Sequence, residues 1–227
     1  MWIKVCANTN PDDARLAADL GADAIGLVFA KSTRQVTPAQ ARTITQALPA
    51  RVERIGVFDT QRADEIARAV DQASLTGAQL HGGLDLELVR RLHAAFGDRL
   101  TLTQTIHWDT APGAPSPAVS LQHQLRQIRN EPGIDRVLVD SRAGAATGGT
   151  GIPFDWYGAV QILRAELDHL KLIVAGGLRA ENVSAAIGTL SPWGVDVATG
   201  VEASPGKKDP KKLEAFIKKA SLVSLPL

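Results

Sequence analysis

The sequence predicts an α/β fold, a single closed (β/α)8 barrel with a parallel eight-stranded core over residues 1–227. Three observations predict it. Short apolar runs recur at eight places: residues 3–6, 24–29, 54–58, 78–81, 100–106, 136–140, 171–175 and 195–198. Several are continuous rather than alternating, as in IGLVF and LIVA, which is how parallel strands buried on both faces read. A helical pattern follows each run, and 227 residues nearly meet the ~31 per unit of a ~250-residue barrel. An open doubly wound sheet is the runner-up. It fits less well because the alternation never pauses and no G-x-G-x-x-G follows the first strand.

The helices carry start signals. Asn10 precedes Pro11, Asp12 and Asp13: a cap, a first-turn proline and two acids facing the helix dipole. Ala14, Ala17 and Ala18 then offer a small-residue face to a sheet. Thr37-Pro38-Ala39-Gln40 is a capping box opening the second helix. Residues 63–72, 84–96, 121–130, 156–166 and 179–190 supply five more. Asp209-Pro210 caps the last, whose Leu213, Phe216 and Ile217 mark one apolar side. No linker splits the chain. Residues 107–117, HWDTAPGAPSP, read as a loop, either a lid or a plain connection. The apolar tail SLVSLPL packs under the barrel or meets a second subunit; monomer and homodimer both stay open.

Composition narrows the function. Twenty-five basic and 24 acidic side chains leave a net charge of +1, which favours neither nucleic acid nor an anionic membrane. A small-molecule partner is expected. The single cysteine, Cys6, excludes an internal disulfide and a four-cysteine zinc site, and a reducing compartment is the simplest setting. No apolar run approaches ~18 residues, so no span is expected. The N-terminus enters a strand-like run without signal-peptide architecture. The expectation is a cytoplasmic protein.

In such a barrel, chemistry belongs to the C-terminal strand ends. Those positions hold Cys6, then Ser32 and Arg34, Asp59, His81 with Gly82-Gly83, Asp140, Gly176-Gly177, and Asp196 with Thr199-Gly200. The stretch 136–151, RVLVDSRAGAATGGTG, sets a carboxylate at a strand end about ten residues before a glycine loop. Glycine turns after the last three strands, including Gly149, Gly151, Gly176, Gly177 and Gly200, fit a phosphate cradle of backbone N–H groups. Their other reading is tight βα turns alone. Cys6 is either a small buried hydrophobe or, as thiolate, a base whose pKa must fall from ~8.5. Asp140 is then the complementary acid, with a pKa above ~3.9. Arg34 suits a bidentate grip on a carboxylate or a surface ion pair. His81 reads as structural or substrate-binding, Asp59 as loop polarity, and Asp196 as a ligand for substrate hydroxyls or a turn cap.

Several segments together resemble the phosphoribosylanthranilate isomerases of tryptophan biosynthesis. They are Ile3-Lys4-Val5-Cys6, GADAIGLVFAKSTR, Thr37-Pro38-Ala39-Gln40-Ala41, Ile55-Gly56-Val57-Phe58, Gln79-Leu80-His81-Gly82 and Val139-Asp140-Ser141 with Gly148-Gly149-Thr150-Gly151. Phe154-Asp155-Trp156, AGGLRAENV and VDVATGVEASPGKKD follow in the family's order. The resemblance implies a TIM barrel that turns N-(5-phosphoribosyl)anthranilate into 1-(2-carboxyphenylamino)-1-deoxyribulose 5-phosphate, an Amadori rearrangement without cofactor or metal. It implies Asp140 as general acid, Cys6 as general base and Arg34 at the anthranilate end. The glycine turns become the phosphate site, and Asp196 a carboxylate near the ribose. There are departures. The family has Cys-Gly after the first strand, where this chain has Cys6-Ala7. Glycine permits a backbone turn that alanine resists, so a different loop shape is expected there. Strand five carries Thr103-Gln104-Thr105 in place of a lysine-bearing segment. Two other functions compete. One is the histidine-pathway aldose–ketose isomerase or a bifunctional form, which Cys6 opposes because that chemistry places an aspartate there. The other is a non-catalytic phosphosugar-binding barrel.

Overall fold

The computed structural model describes residues 1–111, 113–142 and 155–223, the Arg142 side chain excepted. Eight strands pair in sequence order: β1 (Trp2–Val5), β2 (Ala24–Val28), β3 (Glu53–Phe58), β4 (Gly77–Leu80), β5 (Thr101–Asp109), β6 (Ile134–Arg142), β7 (Lys171–Val174) and β8 (Gly194–Val197). Every pairing is parallel, and β8 returns to β1 to close the barrel. The helices are α1 (Pro11–Asp19), α2 (Pro38–Gln46), α3 (Ala63–Ala73), α4 (Leu86–Phe96), α5 (Pro117–Ile128), α6 (Trp156–Glu166), α7 (Val183–Leu190) and α8 (Pro210–Leu222). A short antiparallel hairpin, β9 (Glu202–Ser204) and β10 (Lys207–Lys208), follows β8. No helix among the described residues is long and apolar enough to cross a membrane.

Local chemistry explains the elements. Asn10 accepts from the Asp13 N–H at 2.9 Å, and Asp209 accepts from the N–H groups of Lys211 and Lys212. Thr37 and Gln40 form the reciprocal capping box that their spacing predicts. All eight predicted strands are found, with ends shifted by at most three residues. Three boundaries differ for a physical reason. Residues 107–109, read as loop, continue β5, because the β5–β6 ladder runs on to pair His107 with Asp140 and Asp109 with Arg142. Pro117, read as the loop's end, opens α5. Helix α7 starts at Val183 rather than 179, since the Asn182 side chain takes the Arg179 N–H at 2.8 Å for a turn.

Alternation along the strands sorts the side chains. On β6, Val137 and Val139 face the helices and join the main core, while Leu138 packs with Ile173 and Ala175 in a second cluster beside Trp2 and Trp193. Arg136, on the same face as Leu138 and Asp140, plugs the N-terminal end of the barrel. Its guanidinium lies 5.0 Å from the Trp2 ring and 4.7 Å from that of Trp193, and it bonds both carboxylate oxygens of Glu53 at 2.7 and 3.1 Å. Trp2 Nε1 donates to the same carboxylate at 2.9 Å. Three strands and the residue before β8 are thereby tied together at the end away from the chemistry.

Replacing Arg136 by methionine leaves the Glu53 carboxylate with the Trp2 N–H but without its cation. A loss of about 3 kcal/mol is expected in urea unfolding, as for other broken buried pairs. A change below about 0.5 kcal/mol would mean that this plug is a consequence of closure and does not stabilise it.

Candidate active site

A cavity of about 440 Å³ opens at the C-terminal end of the strands. The strands bring Cys6, Arg34, His81, Asp140, Gly176, Gly177, Asp196 and Thr199 to its wall, with Ala7, Ser32, Asp59, Gly82 and Gly83. Gly200 sits in the 3-10 turn Thr199–Val201 directly after β8. A Cβ there would run into the Leu178 carbonyl, so only glycine fits between the last two βα turns. Gly176 and Gly177 have φ of +83° and +61°, and Asn182 Nδ2 donates to the Gly177 carbonyl at 3.0 Å, fixing that turn's shape. Gly149 and Gly151 lie outside the described residues.

The floor of the cavity is charged, and its ion pair is buried. Lys4 and Cys6, two residues apart on one face, point into the barrel. Lys4, 1% exposed, donates from Nζ to Asp196 Oδ1 at 3.0 Å across the β1–β8 seam, where the two residues pair in register. Burial pulls the Lys4 ammonium down, but Asp196 and Cys6 outweigh it, and its pKa ends above the usual lysine value. Asp140 is pushed up to about 7, first by loss of water and then by the Asp196 charge, with Lys4 opposing. The carboxyl is therefore partly protonated near neutrality, as an acid role requires. Cys6 departs from expectation. Burial raises its thiol, Lys4 pulls it down, Asp196 pushes it up again, and the net direction is up. The cation facing it most strongly is Lys4, neither Arg34 nor an imidazole.

The corner after β1 is tightly built. Ala7 holds φ +61°, so alanine here adopts the left-handed conformation that glycine takes more readily. Asn8, fully buried, donates to the Val5 carbonyl at 2.8 Å and holds the strand end. Gly26 on β2 leaves room for the sulfur: a Cβ there would sit 2.6 Å from Cys6 Sγ. Arg34 does hold a carboxylate in a two-toothed grip, and the carboxylate is Glu202 of its own chain. Nε donates at 2.9 Å and Nη2 at 2.7 Å. Glu202 thus occupies one edge of the guanidinium and leaves the Nη1–Nη2 edge for a second carboxylate.

Four contributors went unread in the sequence. Lys4 was detectable, because a lysine two residues before Cys6 in an apolar strand has to face inward with it. His107 was placed in a loop. It lies beside Asp140 on the next strand, and its ring meets that of His81 edge-to-face at 4.6 Å. Its Nε2 lies 3.1 Å from the His81 carbonyl, an acceptor only, so Nε2 carries the proton. One ring nitrogen of each histidine and an Asp140 oxygen fall within 4.8 Å of one another. Glu202 and Lys208 gave no signal beyond belonging to a charged, glycine-containing segment.

Comparison with known proteins shows what the whole chain is similar to. Residues 3–219 match the model of the family described as N-(5'phosphoribosyl)anthranilate (PRA) isomerase. An N-(5'-phosphoribosyl)anthranilate isomerase of Bacillus cereus is 37% identical over 220 residues, covering 96% of this chain and 98% of its own. The crystal structure of the phosphoribosyl anthranilate isomerase of Thermotoga maritima superposes with a TM-score of 0.82 at 32% identity, over 98% of this chain and 100% of that one. A phosphoribosyl anthranilate isomerase solved in complex with reduced 1-(o-carboxyphenylamino)-1-deoxyribulose 5-phosphate gives 0.79 at 33% identity with the same coverage.

The strained corner generates a prediction. Ala7→Gly relieves a left-handed alanine, worth about 1–2 kcal/mol, and gives back part of that in unfolded-chain entropy. A net gain of about 0.5–1 kcal/mol is expected in chemical denaturation. Destabilisation instead would show that the Ala7 methyl contributes packing that outweighs the strain.

Proposed function

The chain belongs to the N-(5'-phosphoribosyl)anthranilate isomerase family, and from that premise we propose that it isomerises phosphoribosylanthranilate with Asp140 as general acid and Cys6 as general base. The observation that carries the reading is a carboxyl pushed up to about 7 that shares one cavity with the chain's single thiol. Asp140 gives its proton to the furanose ring oxygen. The C1′–O bond breaks, and the anthranilate nitrogen lone pair forms the C=N of an iminium. Cys6 then takes the C2′ proton, and the C–H electrons become the C1′=C2′ bond of an enolamine, which tautomerises to the ketose. Arg34 offers its remaining edge to the anthranilate carboxylate. The turns at Gly176-Gly177 and Thr199-Gly200, with Gly149 and Gly151, receive the phosphate. Asp196, fixed by Lys4, faces the ribose, and His81 borders it. Residues 1–227 act as one barrel in a cytoplasmic setting, on a small phosphorylated substrate.

The direct test is incubation with freshly made phosphoribosylanthranilate, following loss of its fluorescence. Asp140→Asn and Cys6→Ala are each expected to lower kcat by about 10²–10⁴, or about 3–5 kcal/mol, with little change in KM. A variant that keeps wild-type kcat removes that residue from its role.

The pH profile follows from the two shifts. The productive state needs the proton on Asp140 and none on Cys6, although the thiol binds a proton more tightly. Below about 7 both groups hold protons and the thiol is blocked. Between there and the raised thiol pKa one proton is shared, and a fixed fraction of molecules carries it on Asp140. Above the thiol pKa both are ionised and the acid is gone. So kcat/KM is expected to rise through pH about 7, level off, and fall only in the alkaline range. An activity that falls as pH rises through 7 would contradict this assignment.

A further inference from the structure

One buried ammonium is not used by this chemistry. Lys208, on β10, has a side chain with no exposure to solvent. Its Nζ donates to the Cys6 carbonyl at 2.6 Å and lies 3.5 Å from Glu202 Oε1. Its own N–H donates to Asp13 at 2.8 Å, which anchors β10 to α1. Glu202, at the other end of the hairpin, carries Arg34 and accepts the Gly206 N–H at 3.1 Å. Thr9 donates to the Gly206 carbonyl at 2.6 Å. The hairpin begins directly after the Thr199–Val201 turn. A single hairpin therefore touches the turn at Gly200, the corner that presents the thiol, and the guanidinium.

We propose that Lys208 is a positioning residue: it pins the Cys6–Ala7 corner through the Cys6 carbonyl and, through Glu202, sets the angle of Arg34, so that the thiol and the guanidinium are held in one fixed relation. This rests on the reading of Cys6 as the base. A lysine that only filled space would be matched by an apolar chain of equal length, without a buried charge to desolvate. Here the ammonium stays buried although burial pulls its pKa down, with Glu202 and Cys6 opposing. The carbonyl it holds belongs to a residue followed by a left-handed alanine, where the backbone would otherwise relax.

The test uses Lys208→Met, with Lys208→Gln as a second variant that keeps a polar head. Two readouts are taken: steady-state kinetics, and the pH profile of alkylation by iodoacetamide, which reports on Cys6 alone because the chain has one cysteine. The charged groups that act on that sulfur are Lys4 on its own strand, Asp196 on β8, Arg34 after β2 and Lys208 on β10, and Asp140, Asp59, His81 and His107 line the same cavity. Removing one cation of these raises the alkylation midpoint. Lys208→Met is expected to raise it by about half a pH unit or more, and to lower kcat about tenfold to a hundredfold, as for a misplaced catalytic group. KM rises as well, because Arg34 loses its fixed angle, and in kcat Lys208→Gln, which keeps a polar head, falls between Lys208→Met and wild type. A wild-type midpoint in a folded Lys208→Met protein overturns the proposal, as does failure of both variants to fold, which would make the residue purely structural. Should Cys6→Ala keep its turnover, the base reading fails by itself, while the alkylation profile still reports whether Lys208 holds the thiol.

Discussion

The rest of the site depends on the Lys4–Asp196 pair. It joins β1 to β8, the strands that close the barrel, and its partners are 192 residues apart in the chain. Its bond is 3.0 Å long and both side chains are almost without water. An unpaired charge there would cost several kcal/mol, so each partner requires the other, and closure in the correct register satisfies both. The same pair sets the field of the cavity. Asp196 adds to burial in raising the Asp140 carboxyl, and Lys4 limits how far the thiol rises.

This arrangement costs stability at the cavity. A carboxyl with a folded pKa of about 7 and an ordinary value of 3.8 binds more protons folded than unfolded between those limits. Stability therefore declines as pH rises through that window, and above it the carboxylate is buried at a loss. The left-handed Ala7 adds a smaller backbone cost beside the thiol. Both are carried by the closed barrel and its apolar belt, with the Trp2–Arg136–Trp193 plug at the opposite end. Strands hold Asp140 and Asp196, while the turns after β7 and β8 bring backbone to the same cavity.

Much was legible because it is written locally. Caps at Asn10, Thr37 and Asp209 rest on neighbours three residues away, and continuous apolar runs identify buried parallel strands without knowledge of partners. Placing Cys6, Asp140 and Asp196 at strand ends follows from counting along those runs. What escaped depends on contacts distant in sequence. His107 looked like loop because its flanking prolines and glycines dominate the composition, yet a neighbouring strand supplies hydrogen bonds out to Asp109. Glu202 was unreadable as the partner of Arg34, because 168 residues separate them.

The sequence by itself determined the strand–helix alternation, the helix starts and which residue types stand at the mouth, because these follow from side-chain period and backbone chemistry over a few residues. Tertiary structure alone decided the electrostatics. Whether the thiol lies above or below its ordinary pKa, which edge of Arg34 is taken, and that a lysine from the last hairpin grips the Cys6 carbonyl are set by distances across the barrel. Charges interact through space with a strength that depends on separation and on excluded water, and neither quantity is encoded in the order of residues.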